Sequence, residues 1–502
     1  MKRKHIYWLT AAIAVASLFP LLLVKMETWD FVNKEMGYLR QDPFYFQSFK
    51  DHYYLRYLLL IWTGKISLLT SIPTKTITSL LAVASVLGIG RESFVLLRNT
   101  FRFDYAPAIV GAWLVLAFPV WHTLVSGAVL SYIVLLWIFL ASVNQWQKKR
   151  RILAACLFIV SLSYHSLFAL VVGFACCDFV LTVNRPNARR KILSIMAFGA
   201  VMLAWFTVVY LYGDIRSSGT DNNFNFDRLR SFLNYGIMAC VIGAGAFFTA
   251  TRISDPQRRE TFIRRVLCLL ILGFFSGVAY WAVGKPMRFF AFGSYTARHT
   301  YLTCIPFALG AAMAVDLALQ KFSARAVSSG VAFVLVALLV LQHQGMSHKA
   351  AELIYRDVLT QEFEKTDAPP SGYVAVFPVG FKQPRHVHEI GLAMSMYRAY
   401  GRTAWMLNDP FKRHIVPTPD KMVAMYKNYS PDIMKGALGD EVSGDAYTKY
   451  DLHLDGFHQE GRFWYWWYYA VGDYSAFNPR LVKDDAKSTR SVRSLGLTGW
   501  NS

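Results

Sequence analysis

At 502 residues, with 54% hydrophobic residues, only 17% charged ones and a mean hydropathy of +0.30, the chain is too apolar for a soluble enzyme. Its net charge of +21 would suit a nucleic-acid partner, but 19 Lys and Arg stand against 18 Asp and Glu from Gln344 onward. Nearly all the excess therefore belongs to the apolar part, where it reports membrane topology.

The apolar residues come in blocks of about 13 to 21, near the length a helix needs to cross about 30 Å of hydrocarbon. Lipid cannot satisfy an open backbone, so these blocks are expected to be helices. Met1-Lys2-Arg3-Lys4 and the apolar run 6–24 read as an uncleaved first helix. Further spans are expected at 77–92, 107–122, 125–143, 152–164, 167–184, 192–212, 232–250, 266–284, 301–319 and 326–343, making about eleven. The fold class is then an α-helical polytopic membrane protein with a C-terminal extracytoplasmic α/β domain. All six cysteines (Cys156, Cys176, Cys177, Cys240, Cys268, Cys304) fall in apolar blocks, which leaves no disulfide framework or zinc ribbon.

Basic residues mark every second connection: Lys2/Arg3/Lys4, Arg91/Arg98/Arg102, Lys148/Lys149/Arg150/Arg151, Arg185/Arg189/Arg190/Lys191, Arg252/Arg258/Arg259/Arg264/Arg265 and Lys321/Arg325. The positive-inside rule makes these faces cytoplasmic and puts the long first loop, 25–76, and everything after Gln342 outside. The apolar stretch 54–69 breaks the alternation if it spans. It is expected to be interfacial or re-entrant, with Arg56, Trp62 and Lys65 at the headgroups; an ordinary short span is the alternative.

Beyond Gln344 the periodicity changes. A helix is expected over 350–365, a break at Pro369-Pro370-Ser371-Gly372, a buried strand over 373–377, a helix over 388–400 and a second strand over 402–407, giving a small α/β domain over 344–502. The tail from Asp484 is polar and expected to be loose. The run Phe463-Trp464-Tyr465-Trp466-Trp467-Tyr468-Tyr469 suits a sugar-stacking wall, a belt on the headgroups, or packing against the bundle.

The first outer loop is far longer than most connections in a compact bundle. In it, Asp30 follows the first span by six residues and is flanked by Trp29 and Phe31. A carboxylate in such a place can take a proton from a hydroxyl nucleophile, although a solvated acid is the simpler reading. His52 shares the loop, and His165 lies between two spans at the outer face. His386-Val387-His388-Glu389 and His453, Asp455 and His458 have metal-like spacings, but solvated side chains are the favoured reading and no metal site is assigned.

A first span, a long outer loop with early acids, the aromatic-basic segment HYYLRYLLLI, a span ending in arginines and the hairpin FPVWHTLVSGAVLSYIVLLWIFLASVNQWQKKRRILAACLFIVSLSYHSLFALVV make a layout over residues 1–343 that resembles the C superfamily of glycosyltransferases. GSYTARHTYLTCIPFALGAAMA resembles the start of a late span in those enzymes. The resemblance implies transfer of a sugar from a polyprenyl-phosphate carrier to a glycan, lipid or protein acceptor, outside a bacterial inner membrane. It implies a catalytic acid in the first outer loop, where Asp30 stands. The superfamily's frequent Asp-Glu pair is absent, since Phe31 follows Asp30, so Glu35 and Asp42 stay candidates. A leaving carrier phosphate needs cations, and Arg288 and Arg298, with Arg56 and Lys285, are the outer-face candidates. Snorkelling interface residues are the bland alternative. His52, His165 and His299 are candidate substrate contacts. No motif demands a cofactor, and a divalent metal is left open. The rival readings are a transporter or flippase of lipid-linked sugars and a polysaccharide polymerase. Only Asp178 and Asp316 lie well inside the expected spans, which disfavours transport.

Overall fold

The computed structural model describes residues 3–23, 62–63, 65–67, 69–72, 74–125, 127–161, 166–182, 226–281, 300–367, 373–382, 395–396, 399–400, 405–406, 447–459 and 461–483. In chain order the membrane part comprises α1 (Arg3–Leu23), α2 (Thr74–Asn99), α3 (Tyr105–Leu116), a 3-10 segment (Pro119–Val125), α4 (Gly127–Gln147), α5 (Arg151–Ser161), α6 (Leu167–Thr182), α7 (Phe226–Thr251), α8 (Pro256–Trp281), α9 (Cys304–Lys321) and α10 (Ala324–Glu364). Then follow β1 (Tyr373–Val379), β2 (Trp405–Met406), β3 (Tyr447–His453), α11 (Tyr465–Val471) and β4 (Arg480–Lys483).

Eight helical segments among the described residues are long and apolar enough to cross a membrane: His5–Leu23, Thr76–Asn99, Tyr105–Leu124, Leu130–Gln147, Leu233–Thr251, Pro256–Val278, Thr300–Lys321 and Ala324–Glu364. The chain is a multi-pass membrane protein. Two of the expected spans, 152–164 and 167–184, coincide with the shorter apolar helices α5 and α6, while 192–212 lies outside the described residues. Of the stretch 54–69, only short helical pieces from Trp62 onward are described. There Lys65 sits over the Trp62 ring at 5.8 Å, and Trp62 and Leu69 are exposed.

Helix polarity sorts the bundle into two ends. At one end, Arg265 of α8 donates to the carbonyls of Phe101 (3.0 Å) and Arg102 (2.9 Å) between α2 and α3, and to Asp316 of α9 (3.0 Å). Its guanidinium also stacks 3.8 Å from the centre of the Phe103 ring. One side chain therefore pins three neighbouring segments, and each of its nitrogens is satisfied in a place poor in water. Close by, the buried Glu92 of α2 accepts from Asn144 of α4 at 2.7 Å and pairs with Arg91. The described basic clusters, from Arg91/Arg98/Arg102 to Lys321/Arg325, all gather at this end.

The opposite end is built around α10. Ser323 caps its first turn, accepting from the Ala326 amide. The helix then runs 41 residues without a break, so the expected span 326–343 and the expected helix 350–365 are one element and position 344 falls in its middle. Near that position Gln342 donates to the Ser17 carbonyl (2.7 Å) and accepts from the Ser17 hydroxyl (3.0 Å), while His343 meets the Ala16 carbonyl at 2.8 Å. Gly345 makes room for His122 of the 3-10 segment: a Cβ there would lie 2.6 Å from the imidazole Cγ.

The far half of α10 packs against a four-stranded sheet of order β2-β1-β3-β4. β1 runs parallel to β2 and β3, and β4 is antiparallel to β3. Val374, Val376, Tyr450 and Leu452 are buried, and Phe363 of α10 meets the Tyr450 ring edge-on at 5.5 Å. The second sheet face carries the Lys449–Asp451 ion pair, with Lys449 over Phe377. The expected strands 373–377 and 402–407 correspond to β1 and β2. In the expected helix 388–400, only residues 395–396 and 399–400 are described, and they are helical; the tail from Asp484 lies outside the described residues. The aromatic run 463–469 enters α11 at Tyr465, and the helix is closed by Gly472 in the left-handed conformation that favours glycine (φ +75°). Tyr474 donates to Asp357 at 2.9 Å, joining the cap formed by the sheet and α11 to the far half of α10; burial, with the Asp357 charge beside it, pushes the phenol above its ordinary pKa.

Candidate functional site: a membrane-length groove

Between α7, α8, α9 and α10 lies a groove of about 1150 Å³. Its wall on α9 is made by small residues on one helical face, Gly310, Ala311, Ala314 and Ala318, and facing them α10 offers Ala326, Val327, Gly330, Val331, Val334, Leu338 and Leu341. Ala326 and Leu341 are 15 residues apart, so the groove runs about 22 Å, most of the hydrocarbon thickness. Met238 and Val334 line it and stay exposed, so it opens sideways.

The two ends differ. Near the Arg265 pin the lining is apolar, ending at Phe322. Toward the cap it gains Asn234, Tyr235, Ser276, Thr300 and Thr303. Three of these hydroxyls are anchored to backbone carbonyls: Tyr235 to Leu270, Ser276 to Gly273 and Thr303 to Thr300. Among the described residues no charged side chain lines the groove. Such a surface can hold a long apolar chain and orient a polar head at one end.

All ten residues singled out from the sequence, namely Asp30, Glu35, Asp42, His52, Arg56, His165, Lys285, Arg288, Arg298 and His299, lie outside the described residues. The described helix ends that flank them do have places. Leu23, Ser161, Leu167, Trp281 and Thr300 all lie at the cap end: α6 runs antiparallel to α8, as Gly173 beside Phe275 and Arg264 beside Val180 require, and α9 antiparallel to α3, as Phe118 beside Phe307 requires. Thr300, where 282–299 ends, itself lines the polar end of the groove.

Sequence reasoning missed the groove-lining Asn234, Tyr235, Thr300 and Thr303, and also the buried His122. A signal existed for the groove: the four-residue spacing of Gly310, Ala314 and Ala318 leaves one face of α9 without bulk. Among the described residues no three His, Cys, Asp or Glu side chains converge as a metal site requires; His386, His388 and Glu389 lie outside them, and Asp455 is held by Asn478 and Arg480.

The fold and the groove define a multi-pass membrane protein able to accommodate an apolar chain along its flank. No protein-family model matches the chain, and no curated protein matches it.

Proposed function

We propose that the protein is a membrane glycosyltransferase of a bacterial cell envelope, transferring a sugar from a polyprenyl-phosphate carrier to a glycan, lipid or protein acceptor. The observation that carries this reading is the groove: it is apolar along the membrane and polar at one end, as a carrier with a long hydrocarbon tail and a phosphate head requires. The layout resemblance over residues 1–343 supports it further. So does the gathering of basic clusters at the end away from the cap, which under the positive-inside rule favours a cytoplasmic N-terminus and a cap outside the inner membrane. Arg288 and Arg298, with Arg56 and Lys285, then supply cations to the leaving phosphate, and Asp30, with Glu35 and Asp42 as alternatives, takes the acceptor's proton. Asp316, one of the two acids that would have suited a proton-coupled transporter, is engaged by Arg265, which favours the enzyme over the transporter.

The test uses the purified full chain in lipid nanodiscs. A Cβ at Gly330 would meet nothing within 4 Å, so Gly330→Trp projects bulk into the groove and should weaken binding of a long-chain polyprenyl phosphate about tenfold or more. Asp30→Asn should keep that binding and lower sugar transfer on the order of 10²-fold. Unchanged binding in Gly330→Trp would overturn the groove's role. Full transfer in Asp30→Asn would pass the base to Glu35 or Asp42.

A further inference from the structure

Helix α11 has two faces with different partners. Tyr465 and Trp466 turn inward: Tyr465 accepts from the His458 amide and packs on Phe457 and Phe477, and Trp466 meets the His343 ring edge-on. Trp464, Trp467 and Val471, at the spacing of one helical face, turn outward and are 61%, 48% and 58% exposed. Two indoles and a valine form a bare apolar ridge, which a surface bathed only in water has reason to avoid.

The height of this ridge is set by contacts to two spans. The Ser347 hydroxyl donates to the Phe463 carbonyl at 2.6 Å, and the Phe463 ring stacks on His343 at 5.8 Å. His343 in turn meets the Ala16 carbonyl, and α11 itself touches α1. Gly461, in the left-handed conformation, brings the incoming chain against the Ser347 carbonyl so closely that a Cβ would lie 2.3 Å from it. Leu23, the last described residue of α1, lies about 10 Å beyond Ala16 along the axis. The ridge therefore sits beside the second half of a span-length apolar helix. Phe19 of α1 is exposed at the same height, and Arg462, also exposed, precedes the ridge in the chain.

We propose that α11 is a membrane-seating element: Trp464, Trp467 and Val471 insert into the boundary between headgroups and acyl chains of the leaflet on the cap side, holding the sheet-bearing cap at a fixed height over the bundle. Lipid is the occupant because the ridge continues the exposed apolar face of α1, and because indole, with an apolar body and a polar N–H, is the side chain best suited to that layer. The inference does not depend on the enzymatic reading.

The test places a nitroxide on the full chain in nanodiscs of phosphatidylethanolamine and phosphatidylglycerol. Trp467→Cys and, separately, Val471→Cys carry the label, with the exposed Cys156 and Cys240 changed to Ser and Arg480→Cys as the exposed reference on β4. The ratio of collisions with oxygen to collisions with a water-soluble nickel chelate should be several-fold higher at 467 and at 471 than at 480. Val471→Cys keeps both tryptophans, so a perturbation caused by losing Trp467 is recognised. Ratios equal to that of position 480 would overturn the proposal. Labels shielded from both reagents would overturn it too, since a second copy or another protein would then cover the ridge.

Discussion

The two halves of α10 are one continuous helix in two solvents. From Ala324 to Leu341 only Leu335 is buried, and Phe333 is 75% exposed with Val336 and Val340 also bare. From Gln342 to Phe363 the helix is amphipathic, with Met346, Ala350, Leu353, Ile354, Val358 and Phe363 buried and Glu352, Arg356 and Asp357 placed between them. Apolar side chains thus carry different energetic meaning within one element. Against lipid their exposure is neutral, and association rests on close packing and polar contacts; in the cap, burial removes them from water and drives folding.

The sharpest way to break this comparison is to test which side each half faces. In intact cells a membrane-impermeant maleimide should label Arg480→Cys fully and Arg259→Cys only after permeabilisation; the reverse pattern would place the cap in the cytoplasm and discard the orientation proposed above. Phe363, fully buried against Tyr400 and Tyr450, should cost about 3–5 kcal/mol when changed to Ala, seen as early unfolding of the cap and faster proteolysis near β1. Arg265→Met should destabilise the membrane half by about 3 kcal/mol, because Asp316 loses its partner and two carbonyls lose their donors. Partial recovery by adding Asp316→Leu would assign most of that loss to the uncompensated charge. At the seam, Gln342→Leu should cost about 1–3 kcal/mol through the loss of both hydrogen bonds to Ser17, whose hydroxyl keeps only the Leu116 carbonyl, read from thermal unfolding in detergent. Phe333→Ala, the same chemical change as at 363, should shift stability by no more than about 0.5 kcal/mol. A loss there comparable to that at Phe363 would mean that protein, not lipid, covers the first half of α10.

Eight of the eleven expected spans correspond to helices of membrane-crossing length among the described residues, and they were legible in the sequence because each is a local property: some twenty apolar residues in a row need no partner to announce a helix in lipid. The alternation of basic loops was legible for the same reason, and so was β1, whose short apolar run Tyr373–Phe377 follows a Pro-Gly break. The continuity of α10 was hidden. Gln342-His343-Gln344-Gly345-Met346-Ser347 is polar enough to look like a linker, and it stays helical because Ser17, Ala16, His122 and Phe463, all more than a hundred residues away in sequence, take up its polar groups or fill its gaps. The aromatic run 463–469 offered three readings that composition could not separate. Contacts to His343 and Ser347 assign its inner face to packing and leave its outer face bare.

The candidate site divides in the same way. Residue chemistry named the acids and cations of the outer loops, since an isolated Asp or Arg declares its own charge. The groove belongs to four helices, α7 to α10, whose small and bulky residues acquire a common surface only when antiparallel packing brings Asn234, Ser276, Thr303 and Gly330 around one cavity. Sequence therefore determined which segments are apolar enough for lipid and which charges the connections carry, because both are local properties of the chain. Tertiary structure alone decided where the apolar groove lies and which face of the aromatic segment stays bare, because both depend on contacts between segments far apart in the chain.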